Sequence, residues 1–424
     1  LFRRLSVFAG GWTLEAAEDV CAEVDDTDAG DVVLLLGSLV EQSLVVAETS
    51  PEGLTRYRML EPVRQYALEK LEESGEEDEA RGRHAEYYLA LAEEAEPRIK
   101  GGEQVEWLDR LEAENDNLRA AIGRSLESGE APTAVRIGWS LSMYWVMRAR
   151  QSEGRLLMEQ TLAQGGDLPA QMRARALWAL AACVYGSGNN EWLVALCEEG
   201  IALSKQAGDT RVEAHALGIK GMAALQLGEL DRAARDLEES LGMFRRQGDD
   251  WGAAQILTQM TVAPLRRGDY PRAAAYAEEA LELTRGTGDR QAGNIALYVL
   301  AQIALASGEH ELAARYFRDA LTLSFEVWDR TNVAYCLQGL AAVAEALGEP
   351  RRAMRLLGAA EALLEATGTY LYAHMDHELH RRVADAARER LGEQAWTTAR
   401  DEGRAMSFEE AATYALGDEG AVSG

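Results

Sequence analysis

The sequence predicts an all-α chain, most of it a solenoid of helical hairpins about 40 residues long. Three observations carry that prediction. Gly188, Gly228, Gly268, Gly308 and Gly348 recur at 40-residue intervals, followed by Asn189, Glu229, Asp269, Glu309 and Glu349. A second marker keeps the same interval: Gly208-Asp209, Gly248-Asp249, Gly288-Asp289, Trp328-Asp329 and Gly368-Thr369. Beyond about residue 60 the apolar residues are mostly Ala and Leu rather than Val, Ile or Thr, a balance that favours helix over strand.

Each marker has a physical reason. Glycine ends the first helix of a pair because it tolerates the left-handed C-cap conformation. The acid or Asn that follows starts the next helix by capping it and by meeting the positive end of its dipole. Ala233, Ala273, Ala313 and Ala353 stand five residues after the last four glycines, where two helices cross too closely for a larger side chain. Gly-Asp does the same work between repeats. Five hairpins are clear, and a degenerate pair precedes them over residues 135–165.

The first 75 residues read differently. Helices are expected over 1–10, 13–23 and 30–42, a strand over 43–48, a turn over 51–53, a second strand over 55–59 and a helix over 61–73. Three helices with a two-stranded wing make a winged-helix arrangement. Long amphipathic helices follow over 76–99 and 103–128, and closing helices are expected over 370–392 and 393–416, with a loose tail at 417–424. The domain boundaries expected are 1–75 for the winged helix, 76–128 for connecting helices, 129–369 for the repeats and 370–424 for the cap and tail.

Composition narrows the function. The formal net charge of -28 repels phosphate backbones, so nucleic-acid binding by this portion is not expected. In the winged helix, the third helix would have to supply the cations that read DNA, yet it carries Asp31 and Glu41 and no basic residue. The module therefore reads as a protein–protein or intramolecular docking surface. Cys21, Cys183, Cys197 and Cys336 lack CxxC spacing and read as reduced core thiols. No apolar run is long enough to span a membrane. The start at Leu1 has neither Met nor a signal-peptide core, so the chain reads as cut from something longer, with the cytoplasm as the default compartment.

Catalytic motifs do not emerge. A P-loop needs Gly-Lys-Ser/Thr, and none of Lys70, Lys100, Lys205 and Lys220 has both flanks. Neither HExxH nor a Ser/His/Asp or Cys/His set has recognisable spacing, so no enzyme activity, metal or cofactor is expected in this chain. His374, His377 and His380, with Asp376 and Glu378 among them, could suggest a metal, but on a helix the histidines fan over roughly 120°. They read as solvated helix surface. In hairpin solenoids the first helix of each pair lines the inner groove. That places Trp145, Arg148, Trp178, Tyr185, His215, Gln255, Tyr298, Gln302, Tyr335 and Gln338 on the groove side, against the alternative that several of them pack between repeats. Aromatics interspersed with amides and an Arg suit a peptide or a small polar ligand.

These repeats resemble tetratricopeptide repeats in their longer form, as found in bacterial signal-transduction ATPases of the STAND class, including large LuxR-like and MalT-like transcriptional activators. The N-terminal string Leu1-Phe2-Arg3-Arg4-Leu5-Ser6-Val7-Phe8-Ala9-Gly10-Gly11-Trp12-Thr13 resembles the start of the winged helix that follows the nucleotide-binding domain in such regulators. Tyr57-Arg58-Met59-Leu60-Glu61-Pro62-Val63-Arg64-Gln65-Tyr66-Ala67 is similar to the wing-to-helix passage, and Leu108-Asp109-Arg110-Leu111-Glu112-Ala113-Glu114-Asn115-Asp116-Asn117-Leu118-Arg119-Ala120-Ala121 to the connecting helix. Gly403-Arg404-Ala405-Met406-Ser407-Phe408-Glu409-Glu410-Ala411 resembles the segment that precedes a C-terminal LuxR-type helix-turn-helix.

The resemblance implies a right-handed tetratricopeptide-like solenoid and an ATPase domain upstream of Leu1, where ATP or ADP would bind. It also implies an output domain downstream. In related switches a Met-His-Asp triplet touches the nucleotide; here Met59-Leu60-Glu61 has Leu in place of the His. The implied function is the sensor portion of a signalling ATPase: the groove binds an inducer, peptide or protein partner, and the winged helix relays the event to the ATPase domain. The alternative is a repeat scaffold for protein–protein interaction or self-assembly, as a homo-oligomer, with no small-molecule ligand.

Overall fold

The computed structural model describes residues 1–21, 29–49, 54–367 and 373–417, with only the backbone given for 29, 30 and 373–378. The expected turn at 51–53, the Gly368-Thr369 marker and all of the tail beyond Gly417 lie outside the described residues. The chain divides into two units. One comprises Leu1–Ile99, Glu106–Trp145 and Gln151–Cys183; the other comprises Lys100–Val105, Val146–Arg150 and Val184–Gly424.

The first unit opens with a 3-10 turn at Arg4–Val7, then β1 (Gly11–Thr13), α1 (Leu14–Cys21), α2 (Ala29–Glu41), β2 (Val46–Thr49), β3 (Thr55–Arg58) and α3 (Glu61–Ser74). The helix expected over 1–10 is therefore a single turn. Gly10, at φ 90°, and Gly11 release the chain into an extended strand. Trp12 on that strand is fully buried and stacks on Phe8 with ring centroids 5.2 Å apart. The wing gains a third strand in the process: β1 and β2 both pair antiparallel with β3, in the order β1-β3-β2. Thr13, expected inside a helix, closes the strand and caps α1, its Oγ1 accepting from the Ala16 amide at 3.2 Å.

Helices α4 (Glu77–Arg98), α5 (Gln104–Ala113), α6 (Asn115–Glu127), α7 (Ala131–Met147), α8 (Gln151–Gln164) and α9 (Ala170–Val184) follow. The long helix expected over 103–128 is broken between α5 and α6, at Glu114. Its carboxylate is buried and drawn to partners on other elements.

The second unit continues with α10 (Asn190–Ala207), α11 (Thr210–Gln226), α12 (Leu230–Gln247), α13 (Asp250–Met260), α14 (Val262–Arg267), α15 (Tyr270–Thr287), α16 (Arg290–Ala306), α17 (His310–Glu326), α18 (Arg330–Ala346) and α19 (Pro350–Thr367). Last come α20 (Ala373–Leu391), α21 (Glu393–Arg404) and α22 (Phe408–Leu416). The helix expected over 393–416 is two, because Ser407 starts α22 with a reciprocal capping box to Glu410. The hairpin period holds: Gly208, Gly248, Gly268 and Gly288 are left-handed C-caps. Asn189, Asp209, Asp249, Asp269, Asp289 and Asp329 each accept a backbone N–H with the side chain. Glu229 and Glu309 stand at the same kind of position and make no side-chain cap, since the extra methylene carries the carboxylate past the amides. Ala233, Ala273, Ala313 and Ala353 are fully buried at helix crossings.

Neighbouring first helices touch one another, α11 with α13, α13 with α16 and α16 with α18. Each also packs on the second helix of its own pair, so the first helices form one continuous layer.

Candidate functional site on the layer of first helices

The ten residues expected to line the groove divide by unit and by burial. In the first unit, Trp145 is buried against Gly154, which leaves no room for a side chain beneath the indole. Trp178 is buried with its ring 4.6 Å from Trp139. In the second unit, His215, Tyr335 and Gln338 are buried, while Arg148, Tyr185, Gln255, Tyr298 and Gln302 are half-buried. Residues 333–344 of α18 are buried throughout, which covers Tyr335 and Gln338.

The structure brings two groups of these residues together. On α16, Gln291, Ile295, Tyr298 and Gln302 are half-buried at helical spacing and form one face. The Gln302 amide donates to the Tyr298 hydroxyl at 2.9 Å, and the Tyr298 ring lies 6.3 Å from Tyr335. Gln291 Oε1, on this face, and buried Gln338 Oε1, on α18, have no hydrogen-bond partner among the described residues, a costly state unless a further polar group supplies one.

The second group surrounds Asp289, at the N-terminus of α16, and holds a segment the sequence reading did not single out: Lys100 to Gln104. Gln104 is fully buried, and its amide donates to Asp289 Oδ1 at 3.0 Å while its carbonyl accepts from the Arg290 amide at 3.2 Å. Arg290 Nη1 donates to the Gly102 carbonyl at 3.1 Å. Gln255 reaches the other oxygen of Asp289 at 3.1 Å. Lys100 Nζ lies 4.7 Å over the Trp251 ring, a cation–π contact at a site whose indole is buried. Gly288 abuts the backbone of Gly102, and a side chain at Gly101 would press on the Thr287 carbonyl. The available signal was the Gly101-Gly102 pair between two helical segments, beside one of only four lysines.

Electrostatics match this packing. Burial pushes the Asp289 carboxyl above its ordinary range, and hydrogen bonds from Gln104, the Gln291 and Ala292 amides and Gln255 pull it back. Burial holds the His215 imidazole well below its usual range, reinforced by Lys100 and Arg211, so this histidine is neutral at pH 7. Its ring packs at 4.8 Å on Phe244 and at 6.0 Å from Trp251.

In the first unit the connecting-helix motif forms a polar clamp on the wing. Glu114 accepts from the Tyr88 hydroxyl at 2.7 Å and from Asn117 at 2.8 Å, and pairs with Arg56 of β3. Asn117 also donates to the Gly11 carbonyl at 2.8 Å and accepts from the Ala9 amide at 2.8 Å. Helix α2, the candidate DNA-reading helix, exposes Val33, Leu34 and Leu35, with Leu34 74% accessible. Leu60 is exposed and Glu61 pairs with Arg64 at 2.8 Å.

Among the described residues no cluster of three or more His, Cys, Asp or Glu could hold a metal ion. His380 pairs with Glu361 at 3.1 Å, and the side chains of His374, Asp376, His377 and Glu378 lie outside the described residues. No described helix is long and apolar enough to cross a membrane.

Residues 1–72 match the family model of a winged helix-turn-helix domain, and 296–326 match that of a tetratricopeptide repeat. The chain joins a winged helix to tetratricopeptide-type repeats. Relatives from Mycobacterium bovis and Mycobacterium tuberculosis, provisionally named HTH-type transcriptional regulators, are 37% identical over 236 residues. The match covers 53% of this chain and 26% of each relative, so it spans about a quarter of their length. Among solved structures, a Signal Transduction ATPase with Numerous Domains bearing a tetratricopeptide repeat sensor, from Pyrococcus horikoshii, is similar at TM-score 0.51 and 14% identity, over 96% of this chain and 63% of that one. A Rap protein complexed with Competence and Sporulation Factor is similar at TM-score 0.52 and 14% identity, over 76% of this chain and 97% of that one. At such identities these two likenesses establish fold alone.

Proposed function

We propose that this chain is the sensor portion of a STAND-type signalling regulator: its repeats bind an inducer or a peptide or protein partner, and its winged helix relays that event to an ATPase domain elsewhere in a longer protein. The reading is one of binding rather than catalysis. The observation that carries it is the half-open α16 face, where Tyr298 and Gln302 present an aromatic ring and amides at helical spacing. Such a surface orients a polar ligand by hydrogen bonds and excludes water with an aromatic flank. The relay is supported by α2, whose apolar residues Val33, Leu34 and Leu35 suit docking to protein and not to an anionic duplex.

A ligand stabilises the regulator's active state only through a difference in affinity between two states. The test is to pass the small-molecule and peptide fraction of a bacterial extract over the chain and its Tyr298→Ala/Gln302→Ala variant, identifying what is retained by native mass spectrometry. The reading expects a defined species retained by the parent chain and reduced at least about tenfold by the variant. Equal retention by both, or none by either, overturns it.

A further inference from the structure

The segment Lys100 to Gln104 is seated on the first-helix layer in the manner of a bound peptide. Three features separate it from an ordinary loop. Its recognition uses both side chain and backbone, through Gln104 on Asp289 and through the Gly102 carbonyl on Arg290. Gln104 is 0% accessible and Asp289 2%, so the polar contact at its centre is made out of water, where an unmatched partner is most heavily penalised. Backbone meets backbone between the segment and the cradle: a side chain on Gly288 would collide with Gly102, and one at Gly101 would press on the Thr287 carbonyl. One end of the segment is anchored by a cation over Trp251, the other by a buried amide.

We propose that this cradle is a peptide-recognition site in its own right, that its partner is a turn-forming segment of another protein with a cation, a glycine directly after it and, four residues after the cation, a glutamine, and that Lys100 to Gln104 is the resident competitor such a partner displaces. The proposal rests on the reading of the repeats as a binding surface, but it uses α13 and the start of α16 rather than the Tyr298 face. The specificity follows from the cradle. Trp251 attracts a cation and cannot pair an anion. Asp289, backed by Gln255, needs a donor, and the Arg290 amide beside it needs an acceptor; a primary amide offers both from one group. A glutamate at the same place would set its carboxylate against that of Asp289. Because the resident segment is tethered, its effective concentration is on the order of millimolar, so an external peptide binds weakly until the tethered copy is weakened.

The experiment uses a fluorescent nine-residue peptide copying residues 98–106, with the whole chain as receptor. Lys100→Ala/Gln104→Ala, which alters the resident segment and leaves the cradle intact, is expected to bind the peptide at least about tenfold more tightly than the parent chain. A peptide with the same two alanines is expected not to bind, and Arg290→Ala added to the double variant is expected to weaken binding severalfold. Hydrogen exchange on the parent chain at saturating peptide supplies an arm that needs no variant: exchange rises at 100–105 as the resident segment leaves. No gain in affinity for a folded double variant, or peptide binding with no change at 100–105, overturns the inference. Peptide failure alongside ligand loss in the Tyr298→Ala/Gln302→Ala variant leaves the broader reading standing and removes only this one.

Discussion

Glu114 offers a sharp test of how the connecting helices hold the wing. Its carboxylate is 3% accessible and receives the Tyr88 hydroxyl at 2.7 Å, Asn117 at 2.8 Å and the Arg56 guanidinium. Tyr88→Phe removes one hydrogen bond to a charged acceptor, a loss of about 1.5–3 kcal/mol. Glu114→Ala removes all three; breaking a buried pair costs about 3–5 kcal/mol, and the lower end applies because the Arg56 side chain keeps 31% of its accessibility and can rehydrate. In the Glu114→Ala background the tyrosine hydroxyl has lost its acceptor, so Tyr88→Phe should cost less than about 0.5 kcal/mol there, a coupling of about 1–2.5 kcal/mol. Global denaturation of a chain built of two units reports a mixture. Hydrogen exchange resolved by mass spectrometry is therefore the assay, read on the amides of β3 and on the start of α6. Tyr88→Phe and Glu114→Ala effects that simply add would show that the hydroxyl is held by something other than this carboxylate, and the clamp would be refuted.

Three further outcomes follow from other sites. His84 is buried, and burial lowers its imidazole pKa from 6.5 to about 4, partly opposed by its hydrogen bond to Asn117. Above pH 6.5 the ring is neutral folded or unfolded; between 6.5 and about 4 only the unfolded chain takes the proton, so the first unit loses up to about 3 kcal/mol as pH falls through that window, and His84→Phe should flatten the fall measured by exchange at pH 7 and pH 5. Gly403 of α21 crosses α19 so closely that a side-chain carbon would collide with the Arg355 carbonyl, and Gly358 faces Arg400 in the same way. Gly403→Ala should therefore speed hydrogen exchange in α19 and α21 through about 1–3 kcal/mol of overpacking, whereas Gly286→Ala, with open space around it in α15, should slow exchange in α15 through about 0.5–1 kcal/mol of lost unfolded-state freedom. Trp328 occupies the repeat position where Gly208, Gly248 and Gly288 stand, at φ 58°, and stacks 5.3 Å from Phe408. Trp328→Gly relieves about 1 kcal/mol of backbone strain but should still speed exchange in α22, because one of the two rings stacked on Phe408 is gone and only Phe325, at 5.1 Å, remains; unchanged exchange there would mean that the Trp328 stack contributes nothing.

The hairpin array was legible because its signals are local. A left-handed glycine, an Asp one residue later and an Ala at the crossing act within a few residues of themselves, and they recur 40 residues apart. The same locality misled at Glu229 and Glu309, whose charge suits a helix start but whose length prevents the cap. The break at Glu114 and the third wing strand were not legible. Each depends on partners far along the chain: Gly11 answers to Asn117, and Trp12 to Phe8 and to the strand carrying Tyr57.

The groove residues divide along the same line. The sequence by itself assigned Trp, Tyr, Gln and His to one side of the first helices, because a period of 3.6 residues assigns faces without reference to neighbours. It could not determine which of those side chains meet solvent. Burial is set by what packs above a face, and that is a tertiary fact: Trp145 closes over Gly154, α18 is buried from 333 to 344, and Tyr298 with Gln302 stays half-open. The seat of Lys100 to Gln104 is the clearest case. It joins residues more than 180 positions apart through one buried amide, a contact that no periodicity encodes and that only the folded chain could bring about.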